Sequence, residues 1–360
     1  MHKNFFRNID LWLLVPVLIL VTLSLVTLFS LNINFFYGQF ALFILSFVFY
    51  IIFSQTNYLI LKIYAKHIYI ASLVVLFAVL LIGIESRGAV RWVEIFGFRL
   101  QFSEVLKPFL AISFASYTAS IKTLNIKGFL NVFLLLFPIA FLIFLQPDLG
   151  NAIIYFIIVL LTLIYLGFPF RYFLISFLPF LLSVPFLWRF LHDYQRQRIL
   201  TFINPSVDPL GTSYNVIQSI IAVGSGMLMG KGIGQGTQSG LKFLPERQTD
   251  FIFATISEQL GFVGVTIILI CFAVLLYRVL QIILNTNDMF SKSLSVIVFF
   301  AFLSQIFINI AMNLGLLPIV GVTLPFVSYG GSSLLSNFIF LGLINTISNY
   351  SKENRVLEIG

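Results

Sequence analysis

The chain has 360 residues, 59% of them hydrophobic and 9% charged, with 21 basic side chains, 13 acidic ones and a formal charge of +8; its mean hydropathy is +1.04. Such a balance excludes an ordinary soluble globular protein and leaves no soluble domain for a nucleotide or a nucleic acid. Crossing the hydrocarbon layer takes about 20 mostly apolar residues, and runs of that length recur from end to end, so the expected class is an all-α polytopic membrane protein. With one cysteine, Cys271, no internal disulfide can form, and outer loops must be held by packing and hydrogen bonds.

Ten spans are predicted, over residues 11–31, 36–54, 67–84, 104–120, 129–146, 150–168, 172–190, 251–278, 293–314 and 332–349. The first is too long for a signal-peptide core and no small-residue cleavage site follows it, so it reads as a retained helix. An even number of spans puts both termini on one side. Eleven cations mark that side as cytoplasmic by their excess in its short loops: Lys3, Arg7, Lys62, Lys66, Lys122, Lys127, Arg171, Arg278, Lys292, Lys352 and Arg355.

The other ten cations fall on the outer half in two clusters. Arg87, Arg91, Arg99 and Lys107 form the first; Arg189, Arg196, Arg198, Lys231, Lys242 and Arg247 form the second. Solvated loop charge explains any one of them. Two clusters together point to a cavity that binds an anion.

Three segments depart from helical spans. Residues 85–103 are too polar to span and too apolar to float, and read as a loop lying against the bundle. Residues 191–250 form a large extracytoplasmic loop between spans seven and eight. Within it, 215–229 suits a short interfacial helix and the glycine-rich run to Gly240 supplies flexible backbone. Residues 315–331 hold Pro318, Pro325 and glycines among apolar residues. Irregular backbone at membrane depth survives only inside protein or along a wet cavity, so this is expected to be a re-entrant loop over the site. Neither repeats nor further domain boundaries are visible, and the chain reads as one transmembrane domain over 1–360.

Several residues could carry chemistry. Asp250 stands where the polar stretch becomes a long apolar helix. It can be a helix-terminal carboxylate complementing the macrodipole, a general base, or a ligand for a divalent cation such as Mg or Mn. Positive neighbours favour its charged form, which suits a cation ligand, whereas a base near neutral pH needs desolvation. Glu104 and Lys107, three apart, share a helix face. They are a self-neutralised structural pair or, as ionisable groups inside a span, functional. Asp148 in QPDLG is a turn cap or a substrate contact. Glu258, about two turns below Asp250, is expected inside the membrane. Arg196 and Arg198 have guanidinium forks that match phosphate oxygens, or they snorkel toward headgroups. Arg91 and Lys242 complete the candidate substrate-binding set. The glycine run does not fit a phosphate-cradling GxxxxGK[ST] loop, HExxH and CxxC are absent, and three scattered histidines make no zinc site. No organic cofactor is implied.

Taken in order, RGAVRW, QFSEVLKP, QPDLG, RQRILTFINP, the run from GTSYNVIQ through LPERQTDFIFA, and PIVGVTLPFVSYGGSS resemble the SEDS family of cell-wall proteins. The arginine of LPERQTDFIF and the phenylalanine of LPFVSYGG resemble its RodA branch more than its FtsW branch. The likeness runs from span one to span ten. It implies a ten-helix fold and a peptidoglycan glycosyltransferase that polymerises lipid II on the outer face of the bacterial inner membrane during elongation. It also implies a class B penicillin-binding protein as partner, alongside membrane lipids and the elongation machinery. The essential aspartate of the family's TDFIF motif corresponds to Asp250, the QPDLG acid to Asp148, and the SExxK pair to Glu104 and Lys107. Two departures stand out. Gln248 replaces the histidine of the usual HTDF, so that histidine cannot be a required proton carrier, and Phe102 stands where proline is common. A lipid II transporter is the alternative reading, and a scaffold for the transpeptidase a third; the inner halves of the spans are nearly free of acids, which disfavours transport.

Overall fold

The computed structural model describes residues 9–86, 89–95, 97–204 and 213–359. Lys3, Arg7 and Arg87 lie outside them. In chain order come α1 (Leu11–Leu31), α2 (Ile33–Gln55), the short α3 (Tyr58–Ile63) and α4 (Ala65–Ile82). A sheet of β1 (Ile84–Ser86), β2 (Ala89–Ile95) and β3 (Phe98–Gln101) follows, then α5 (Phe102–Val105), α6 (Lys107–Ser120), α7 (Ile126–Leu145), α8 (Leu149–Tyr165) and α9 (Phe170–Phe190). The remaining elements are α10 (Asp193–Ile203), α11 (Tyr214–Ser225), α12 (Thr237–Gly240), α13 (Ile252–Asn285), α14 (Met289–Asn313) and α15 (Gly331–Ile359).

Seven of the described helices are long and apolar enough to cross a membrane: α1, α2, α4, α7, α13, α14 and the Gly331–Tyr350 part of α15. Apolar stretches of α8 and α9 are shorter. The segment expected as span four is interrupted at Leu106 and leaves α6 with 14 residues, about 21 Å of helix at 1.5 Å per residue. The fold is thus polytopic and predominantly helical. Helix starts follow local capping: Asp10, Asn32, Asn125, Asp148 and Asp288 each accept a backbone N–H from the first turn they precede, satisfying donors that have no intrahelical partner.

The bundle's centre is α14 and α15, whereas α2 and α4 are largely exposed on the surface lipid would cover. The pattern accounts for α15's lower hydropathy. Its buried face carries Ser332, Ser333, Ser336, Asn337, Asn345, Thr346 and Ser348, small and polar residues that permit close packing against α2 and α14. On the side opposite the polar loops, Asp10 ties three helices together. Its Oδ2 accepts from Arg278 Nη2 at 2.6 Å and from Ser348 Oγ at 2.9 Å, joining the start of α1 to α13 and α15.

Two segments differ from what their composition predicts. Residues 84–86, 89–95 and 98–101 form an antiparallel sheet in the order β1-β2-β3, with Trp92 opposite Gln101 and Glu94 opposite Arg99, where a loop was expected. The glycine-rich run is not free backbone either. It is hydrogen-bonded along α13, at a break where Gly261 has φ +62° and ψ −157°.

Candidate active site

Residues 241–251 form an irregular turn ahead of α13, which begins only at Ile252 with Phe251 as its cap and no side-chain capping bond. Asp250 stands one residue before that cap. Phe251 is buried and anchors the turn, while Asp250 beside it is half-exposed. Its backbone is fixed by two asparagines four apart on α14, hence on one helix face. The amides of Asn309 and Asn313 donate to the Asp250 carbonyl at 3.1 and 3.0 Å. Asn313 Oδ1 accepts from Ala254 N, and Asn309 Nδ2 also donates to Val322 O at 2.7 Å. Both side chains are fully buried in a span. That is costly for an amide unless its hydrogen bonds are made, and here they go to the 250 turn and the loop above it. Sequence reasoning passed over this pair; its only signal was two asparagines at helical spacing in an apolar run.

The second wall is the irregular segment between α14 and α15, expected as a re-entrant loop and found as non-helical, largely buried backbone. It pairs with the turn: Tyr329 N donates to Gln248 O at 2.9 Å and Ser328 Oγ to Thr249 O at 2.7 Å. At its tip Gly321 has φ +71°, a conformation that favours glycine. The point where a Gly321 side chain would begin lies 3.7 Å from Asp250 Oδ2 and 4.0 Å from Arg198 Nη1. A carboxylate and a guanidinium thus face one small backbone gap. Arg198 is aimed there by donating to Ile319 O at 3.2 Å and by lying 5.5 Å above the Tyr194 ring. Tyr194 Oη in turn donates to Pro147 O at 2.8 Å.

The other candidates are placed differently. Arg196 is two residues from Arg198 and so about 200° around α10. It donates to the Trp188 and Arg189 carbonyls at 3.1 and 2.9 Å, at the end of α9. Lys242 is exposed, with φ +66°. Arg247 is buried, its Nη1 donating to the Ser239 and Gly240 carbonyls, and burial lowers its pKa. Glu104 and Lys107 form a 2.7 Å ion pair, 7% and 2% exposed. Beneath Lys107 lies a cavity of about 20 Å³ walled by Phe114, Tyr155 and Ile158, room for a single water.

Asp148 caps α8 and is 3% exposed. It accepts from Gln101 Nε2, from Ser103 Oγ at 2.8 Å and from Asn151 Nδ2 at 2.8 Å, with Arg91 Nη1 at 3.8 Å. This network reaches the same loop through α15: Gln101 N donates to Ser332 Oγ, and Ser333 Oγ lies 2.7 Å from Thr323 Oγ1. Among the described residues no three metal-ligating side chains gather.

Comparison with known proteins agrees with this architecture. The family profile FTSW_RODA_SPOVE, described as cell cycle protein, matches residues 2–353. Peptidoglycan glycosyltransferase MrdB of Escherichia coli is 39% identical over 293 residues, 80% of this chain and 79% of its own. Stage V sporulation protein E of Bacillus subtilis is 36% identical over 282 residues, 75% and 74% of the two chains. Among solved structures, a chain of a peptidoglycan synthase complex that coordinates polymerization and crosslinking superposes with a TM-score of 0.82 at 28% identity, covering 95% of this chain and 98% of that one. Rod shape determining protein RodA of Thermus thermophilus gives 0.71 at 25% identity, covering 94% and 96%. With the profile spanning nearly every residue and relatives above 35% identity over three quarters of the chain, the protein belongs to the FtsW, RodA and SpoVE family.

Proposed function

We propose that this chain is a peptidoglycan glycosyltransferase that polymerises lipid II during cell-wall elongation, and that Asp250 and Arg198 carry the reaction. The observation that supports the assignment is their convergence on Gly321. Asp250 takes the proton of the acceptor sugar hydroxyl as its oxygen attacks the donor's anomeric carbon. The new glycosidic bond forms as the bond to the pyrophosphate oxygen breaks, with inversion in one displacement. Arg198 sits where a guanidinium can hold the departing pyrophosphate, the charge that grows in the transition state. A half-exposed carboxylate facing such a substrate also suits a Mg or Mn ion, since Mg is usually held by one or two carboxylates plus substrate phosphates. Asp250 would hold it, and the ion would add positive charge to the leaving group.

The reading includes ten spans, one transmembrane domain with 191–250 as an outer loop, both termini in the cytoplasm and the Asp250 turn on the periplasmic face of the bacterial inner membrane. Arg91, Lys107, Glu104 and Asp148 then support the site by fixing the sheet, α5 and α8 around the same loop, and Arg196 and Lys242 lie at its outer rim. A class B penicillin-binding protein is the partner that crosslinks the glycan.

The test is polymerisation of lipid II by the purified protein with its transpeptidase partner, the partner's own chemistry blocked. Glycan chains are expected from wild type and none from Asp250→Ala. Unchanged polymer from the variant removes Asp250 from the mechanism, and no polymer from either protein favours the transporter reading.

A further inference from the structure

The break at Gly261 leaves α13 with backbone groups that its own helix cannot pair, and unsatisfied groups inside a span are costly. The segment after α11 supplies the partners. Phe262 N donates to Met227 O at 2.8 Å and Val263 N to Leu228 O at 3.2 Å, while Lys231 N donates to Glu258 O at 2.9 Å and Gly232 N to Gln259 O at 3.0 Å. The glycine-rich stretch is thus an insert that completes a broken helix.

Glu258, just before the break, extends this pairing with its side chain. It is 0% exposed, and its two oxygens accept from Gln238 N at 2.8 Å, Ser239 N at 2.9 Å, Ser239 Oγ at 2.7 Å, Thr237 Oγ1 at 3.2 Å and Lys231 Nζ at 3.4 Å. The backbone passes so close that a methyl at Gly236 would run into this carboxylate. The residues so held then hold the next piece of chain. Ser239 and Gly240 carbonyls receive Arg247 Nη1, and Gln238 O receives Leu244 N at 3.0 Å. Thr255 Oγ1 closes the ring on Arg247 O at 3.0 Å. Arg247 lies three residues before Asp250, in the turn where Phe251 N returns to Glu246 O.

We propose that Glu258 is a positioning residue for the reaction, acting through Ser239 and Arg247 to hold the turn that presents Asp250. The inference rests on Asp250 being the reacting carboxylate. The asparagines of α14 and the 314–330 loop fix one side of that turn; the Glu258 strap fixes the other. A carboxylate suits this task because it only accepts, and all five groups around it donate. Glu258→Gln keeps the volume but turns an amide N–H₂ toward donors, so the strap loosens without a cavity. Misplacing a reacting group by about 1 Å can cost on the order of 10²-fold in rate.

The experiment compares lipid II polymerisation and hydrogen exchange in the full-length wild type, Glu258→Gln and Glu258→Asp. Glu258→Gln is expected to lower kcat by tenfold to 10²-fold, leave KM within about twofold, and speed amide exchange selectively over 236–250. Glu258→Asp, which restores the charge on a shorter arm, is expected to recover part of both. Wild-type kcat in Glu258→Gln overturns the proposal. So does a loss of kcat with unchanged exchange over 236–250, or with exchange faster throughout the bundle, which marks a merely structural residue. The exchange result stands apart from the identity of the base. If Asp250→Ala keeps its polymer while Glu258→Gln loosens 236–250, the strap exists and the assignment of Asp250 is what fails.

Discussion

Gly321→Ala offers the sharpest probe of the site, because it adds a single carbon at the point where the carboxylate and the guanidinium meet. The new methyl would stand 3.7 Å from Asp250 Oδ2 and 4.0 Å from Arg198 Nη1, with nothing nearer beyond its own chain neighbours. Both are ordinary van der Waals separations, so no clash drives unfolding. What remains is the backbone cost of alanine at φ +71°, about 1–2 kcal/mol for a left-handed residue with a side chain. In the proposed mechanism the methyl meanwhile occupies the gap where a substrate oxygen approaches both groups. A displacement of about 1 Å there is worth on the order of 10²-fold in rate, or roughly 2.7 kcal/mol of barrier. Activity should therefore fall further than stability does. Polymerisation rate and thermal unfolding, measured on the same detergent-purified preparation, separate the two. A variant that unfolds a few degrees early yet polymerises at the wild-type rate would refute the idea that the reaction takes place at this gap.

The two arginines should part company. Arg198→Ala is expected to raise the lipid II requirement and lower turnover, with Arg198→Lys a poor substitute because a lysine lacks the planar fork. Arg196→Ala should act mainly on the junction of α9 and α10, whose carbonyls it holds, so equal kinetic defects in the two variants would contradict the placement. For the buried pair on α5 and α6, Lys107→Met leaves Glu104 charged and alone, a change worth about 3–5 kcal/mol. The double variant Lys107→Met with Glu104→Gln should recover much of that loss in an unfolding assay. If it is no more stable than the single variant, the pair does not act as a unit.

The first and eighth spans were legible at their starts because the determinant there is local, whereas α10 inside the expected outer loop was not foreseen. Residues 11–31 were expected as a span and α1 runs from Leu11 to Leu31; a start at 251 was expected for the eighth span and α13 begins at Ile252. An apolar run and a capping residue are properties of neighbours in sequence, and helical hydrogen bonds close within four residues. Irregularity between α14 and α15 was legible for the same reason, since Pro318 and Pro325 stand among glycines such as Gly315 and Gly321, and the two residue types together disfavour regular helix there. The sheet was not. Its pairing of Trp92 with Gln101 depends on a register between strands that composition alone does not specify.

The sequence by itself offered the candidate residue types, an aspartate and a set of arginines and lysines in the polar stretches of an apolar chain. Tertiary structure decided which of them meet. It sends Arg198 to Gly321 and Arg196 to the end of α9, buries Asp148, Glu104 and Lys107 among partners, and lays the glycine-rich run along the break in α13, where Glu258 holds it. The reason is that hydrogen-bond need in a membrane is absolute while its satisfaction is non-local. Every polar group forced below the surface must find a partner, and that partner can come from anywhere in the chain that the packing brings near.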